Sequence, residues 1–132
     1  MINVLKTKQL KLAIANMPQK ILEIIDNETE LGICVTNEKG IYVAVNDKYC
    51  EIYGYTKEEF LGQSFLMVVP KDNQVKLTVL HDKFIEQEYE ILRNWEVQRK
   101  NGAVIKIQAD AGFFNQIFDK TPHKVTFVDP NI

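Results

Sequence analysis

Few side chains in this 132-residue chain combine chemical capability with a position that could use it. His81 is the first. It follows Leu77 by four residues and precedes Phe84 by three and Ile85 by four. On a helix that spacing sets the ring on or beside the apolar side. A ring there reads as a packed imidazole bonded to a backbone carbonyl or a carboxylate. Cys34 and Cys50 form no CxxC pair, and no Cys/His cluster has zinc-ligand spacing. Both read as reduced thiols packed in the core. Glu58-Glu59 opens a helix, where carboxylates suit the macrodipole, and Glu86, Glu88 and Glu90 read as solvated. The chain has no P-loop, GxSxG, HExxH or Rossmann fingerprint. No catalytic constellation is therefore expected, and no metal cluster.

The elements that must position these residues follow from periodicity. Leu10, Ile14, Met17, Ile21 and Ile24 form a helical stripe with coiled-coil spacing. Pro18 interrupts it, so two helical pieces are expected, one ending near Asn16 and one over 18–26. The stripe has two readings, packing on its own domain or a dimer interface. Leu31–Thr36 and Ile41–Val45 form a hairpin around Asn37-Glu38-Lys39-Gly40. Asn46 caps a short helix that Gly54 ends, and Thr56 with Glu59 makes a capping box for the next. A long helix spans about 72–88, with Val75, Val79, Leu80, Phe84 and Ile85 as its apolar face. Trp95–Arg99, 103–113 and 123–128 read as strands, and Asn101-Gly102 supplies the hairpin turn.

The predicted fold class is α+β: an antiparallel sheet of about five strands, short helices and one long helix on one face, and an N-terminal flanking helix. Residues 1–29 form the flanking segment and 30–132 the domain. A cleft between sheet and helices is a default small-molecule site. Composition is that of an ordinary globular domain, with 45% hydrophobic and 26% charged residues. A net charge of −2 gives no pull toward nucleic acid or anionic lipid. No run approaches the length of a membrane span, and the N-terminus lacks the apolar core of a signal peptide. A cytoplasmic location is expected.

Three segments, in order, resemble a PAS domain: 36–46 (TNEKGIYVAVN), 54–62 (GYTKEEFLG) and 95–102 (WEVQRKNG). Asn37 stands where the family usually has Asp, and Ala44-Val45 where it has an aromatic-valine step. The resemblance implies a PAS fold over about 31–129. It also implies a non-catalytic sensory module of the kind found in bacterial two-component signalling, acting by ligand binding, homodimerisation or protein–protein interaction with an output domain or partner. His81-Asp82-Lys83-Phe84-Ile85 is similar to the haem-binding PAS pattern, which implies the alternative of a haem-based gas or redox sensor. The flavin photosensors of the family carry a reactive cysteine in a segment that here reads Gly62-Gln63-Ser64-Phe65-Leu66, which argues against flavin–thiol chemistry. A third reading is a purely structural dimerisation module with its cleft filled by side chains.

Alternation makes Val43, Val45, Leu66, Val79, His81, Phe84, Ile105, Ile107, Val125 and Phe127 the pocket candidates. A slip of one residue would invert the strand members of that set. Leu10, Ile14, Met17, Ile21 and Ile24 are the dimer-interface candidates. Trp95 and Phe113-Phe114 would mark a docking surface if they lay on an open sheet face.

Overall fold

The computed structural model describes residues 2–88 and 91–130; Met1 and 131–132, the ends of the two predicted segments, lie outside the described residues, as does Glu90, read above as solvated. Helix α1 (Val4–Asn16) begins at Asn3, whose side chain accepts from Lys6 N–H, and stops one residue before the Met17–Pro18 step. A 3₁₀ turn (Pro18–Lys20) leads into α2 (Ile21–Asn27). The break falls where proline removes a backbone donor. Strands β1 (Gly32–Asn37) and β2 (Tyr42–Val45) make the first hairpin. Asn37 Oδ1 accepts from the N–H groups of Lys39 and Ile41 to shape its turn.

Helix α3 (Asp47–Tyr53) ends at Gly54, which takes the left-handed conformation that a Cβ would disfavour. The capping box of α4 (Lys57–Phe60) is present in both directions between Thr56 and Glu59. Two 3₁₀ turns (Phe65–Val68 and Lys71–Asn73) then deliver the chain to α5 (Gln74–Gln87). Strands β3 (Ile91–Gln98), β4 (Val104–Phe114) and β5 (His123–Asp129) complete the sheet. The strand order is β2-β1-β5-β4-β3, antiparallel throughout. β3 starts four residues earlier than periodicity suggested, because Ile91 through Gln98 all pair with β4.

The sheet is covered on both faces. On one, Tyr42, Tyr49, Tyr53 and Phe60 stack edge to face over Val97, Ile107 and Val128 beneath α3 and α4. On the other, Ile14, Ile21 and Ile25 of α1–α2 pack on Ile33, Val35, Val125 and Phe127. The predicted dimer stripe is therefore largely spent inside its own domain. Ile14 and Ile21 are buried, Leu10 and Ile24 pack against the same cluster, and Met17 alone of the five is exposed. The physical reason is area: a sheet face lined by Ile33, Val125 and Phe127 needs an apolar cover, and the flanking helices of the same chain supply it. Phe114 packs against this second cluster, and Phe113 stands 6.4 Å from Phe84 on the other face, so neither marks an open docking surface.

Polar contacts fix the docking of α1. The Thr7 hydroxyl donates to Asp110 Oδ2 (2.6 Å), and Lys11 Nζ donates to Asp110 Oδ1 (2.9 Å). Asp110 is nearly enclosed, so this charge pair is shielded from solvent.

Candidate functional site

A cavity of about 90 Å³ lies between the sheet and α5. Strand alternation places Cys34 and Thr36 of β1, Ile107, Ala109 and Ala111 of β4, and Lys124, Thr126 and Val128 of β5 along its floor. Leu77 and His81 of α5 come from one side, and Phe65, Val68 and Val69 from the preceding turn. Gln74 Nε2 donates to the carbonyls of Leu66 and Val69, which ties that turn to the start of α5.

His81 lies in the wall and is only 4% exposed. Its Nε2–H donates to the Glu38 carbonyl oxygen at 3.1 Å, since a carbonyl can only accept. The Phe65 ring stands 5.3 Å away. Gly40, in the left-handed region at φ 77°, makes this approach possible: a Cβ there would fall 2.7 Å from Phe65 Cδ1. Burial first, and then the ammonium of Lys124, pushes the His81 pKa below its ordinary value. The ring is held neutral.

Burial likewise keeps the thiol and phenol groups of the wall protonated. Burial pushes the Cys34 thiol up to about 11. It pushes the hydroxyls of Tyr42 and Tyr49, 2.7 Å apart, well above the usual phenol range. A thiol so held is not a nucleophile at neutral pH. Lys124 is the exception in sign, because burial lowers its pKa to about 8 and it still carries its proton near neutrality. Among the described residues no cluster of His, Cys, Asp or Glu could hold a metal ion.

Haem is tested by the His81 environment. The nitrogen that would ligate iron is engaged with Glu38, and the cavity is smaller than the ~150 Å³ that holds benzene. These residues do not fit a porphyrin. Flavin fails on volume alike.

Of the ten pocket candidates, the structure brings His81 and Ile107 to the cavity. Val45 and Phe84 are buried but line other parts of the core, Ile105 packs against the first core cluster, and Leu66 is half-buried in the Phe65–Val68 turn. Val125 and Phe127 face α1–α2, on the opposite side of the sheet. Val43 is at the surface, and so is Val79, 47% exposed. Two causes account for the differences. In β5 both faces are buried, and the more apolar phase belongs to the α1–α2 side. In α5 the inward row is Gln74, Leu77, His81 and Phe84, at spacings of three and four, which leaves Val75 80% exposed. Sequence reasoning missed Lys124, Thr36, Thr126 and Trp95 as lining residues. The alternation of Lys124, Thr126 and Val128 was the available signal.

The matches to known proteins agree with this geometry. The family model for the PAS fold matches residues 19–112. No curated protein matches the chain. A PAS domain from Colwellia psychrerythraea superposes with a TM-score of 0.70 at 17% identity, covering 97% of each chain. A domain of a sensory box sensor histidine kinase/response regulator from Geobacter sulfurreducens superposes with a TM-score of 0.66 at 16% identity, covering 96% of each. The Drosophila melanogaster Cycle PAS-B domain with bound ethylene glycol gives 0.64 at 14% identity, covering 74% of this chain and 97% of that one. PAS domains are typically non-catalytic modules of sensory signal transduction. With its five-stranded antiparallel sheet, its helical flap over an interior cavity and a family match spanning most of its length, this chain belongs to the PAS family.

Proposed function

We propose that the chain is a cytoplasmic sensory module that admits a small molecule to the cavity between the sheet and α5 and reports it through α1–α2. Residues 30–132 act as the sensor and 1–29 as the relay. The observation that carries this reading is the double role of β5. Lys124, Thr126 and Val128 touch the cavity, while Val125 and Phe127, interleaved with them, touch the N-terminal helices. A ligand that favours one position of β5 favours one packing of α1–α2, which is a population shift with a defined path. The size of the cavity suits a few heavy atoms, in keeping with the ethylene glycol in the Cycle domain. Ethylene glycol is therefore the first probe. Its titration should move the amide resonances of cavity residues such as Thr36 and Ile107, and a response confined to exposed residues would leave a structural module.

The output is a homodimer whose geometry an output domain or partner protein reads. The apolar groups left for it are on the outer side of the N-terminal helices, where Leu5 and Leu12 are 67% and 54% exposed and stand two turns apart. Val4 and Leu22 are exposed nearby. In sedimentation velocity the chain should run as a dimer, and the double variant Leu5→Lys/Leu12→Lys as a monomer. A native chain that stays monomeric at about 100 µM, well above typical µM signalling affinities, would contradict this.

A further inference from the structure

The cavity wall carries a positive charge that the fold does not neutralise. Lys124 lies on β5, and its ammonium sits over the Phe84 ring, 4.9 Å from the centroid. Among the described residues no carboxylate forms an ion pair with it. The titratable groups that face it supply no anion: Cys34 holds a protonated thiol, His81 a neutral ring, and Tyr42 and Tyr49 protonated hydroxyls. Glu96 reaches the rim but is exposed and makes no bond to Lys124. Directly across the strand pair from Lys124 stands Thr36, 3% exposed, whose hydroxyl makes no hydrogen bond among the described residues. Cross-strand partners sit about 5 Å apart at Cβ, so one small group can reach both.

Lys124 is half-buried, and its ammonium, partly withdrawn from solvent with no counter-ion beside it, is costly to retain. An anion that enters beside it recovers that cost, and a neutral molecule does not. The rest of the wall is apolar, with Phe65, Leu77, Trp95 and Val97. One cation favours one negative charge. A cavity of about 90 Å³, smaller than the ~150 Å³ cavity that holds benzene, admits only a few heavy atoms. We propose that the ligand of this cavity is a short-chain monocarboxylate, its carboxylate held between Lys124 Nζ and the Thr36 hydroxyl and its alkyl end among the apolar side chains. The proposal rests on the ligand-binding reading above and names the chemistry of the ligand.

The test is a titration of the native chain and of Lys124→Met with propionate and with its neutral isostere propionamide at neutral pH, followed through the amide resonances of the cavity. Propionate should bind the native chain at least tenfold more tightly than propionamide. Lys124→Met should lose at least tenfold in propionate affinity and bind propionamide as the native chain does. Lys124→Gln, of similar length and uncharged, should behave alike and guards against repacking in the first variant. Equal binding of propionate and propionamide by the native chain, or full propionate binding by both variants, would overturn the carboxylate assignment and leave a ligand site of another chemistry. No cavity response to either compound would overturn the ligand-binding reading along with it.

Discussion

Asn46→Ala should cost about 4 kcal/mol of stability, a large part of the 5–15 kcal/mol that holds a domain of this size. Asn46 is fully buried between β2 and α3, and its side chain has five hydrogen-bonding partners, three of them carbonyls sharing the two N–H groups of Nδ2. Oδ1 accepts from the N–H groups of Tyr49 (3.0 Å) and Ile33 (2.9 Å). Nδ2 donates toward the carbonyls of Ile25 (3.1 Å), Glu28 (3.2 Å) and Leu31 (3.0 Å). One residue thus caps α3, holds β1 and anchors the end of α2. Alanine leaves several buried backbone groups without this partner, each at about 1–3 kcal/mol. Asn46→Asp is the sharper variant. It keeps the acceptor but turns a carboxylate oxygen toward three carbonyls, and it should be at least as destabilising. Urea unfolding measures both as a fall in the midpoint with an unchanged slope. A loss below about 1 kcal/mol in either would mean that the network contributes little beyond an ordinary cap.

Lys124→Met should do the reverse and stabilise the empty protein. Burial lowers the Lys124 pKa from 10.5 to about 8, which corresponds to a penalty on the order of 3 kcal/mol on the charged form. Because the folded-state value lies below the unfolded one, the penalty is complete below pH 8 and fades as pH rises toward 10.5. The variant should therefore be more stable by about 2–3 kcal/mol at pH 7, less whatever the ammonium gains over the Phe84 ring. Its advantage should shrink through pH 8–10. Cys34, Tyr42 and Tyr49 also titrate in the alkaline range, with pKa values raised by burial, but they are present in both proteins and largely cancel in the difference. A difference that is flat from pH 7 to 10 would mean that Lys124 is solvated or already paired.

Much of the frame was legible because its signals are local. The break at Pro18, the Asn46 cap, the capping box at Thr56–Glu59 and the turn at Asn101-Gly102 each depend on a few neighbouring residues. The lining of the cavity was not, because it depends on which face of a sheet meets which helix. Where both faces are buried, the choice of the more apolar phase points to the drier face, and in β5 that face belongs to α1–α2. The same misdirection affected α5, where Val75 and Val79 look like core residues but Gln74, Leu77, His81 and Phe84 turn inward. Asn46 illustrates the middle case. Its capping role was local, whereas its hold on α2 spans 21 residues of sequence and has no local sign.

The central claim is that cavity and N-terminal helices are coupled through β5. The most direct measurement is an amide-resolved titration of the native chain with ethylene glycol. The account predicts movement at Thr36, Ile107 and Thr126, which line the cavity, and with the same concentration dependence at Ile14, Ile21 and Ile25 across the sheet. Cavity resonances that move while those of α1–α2 stay fixed would contradict the relay.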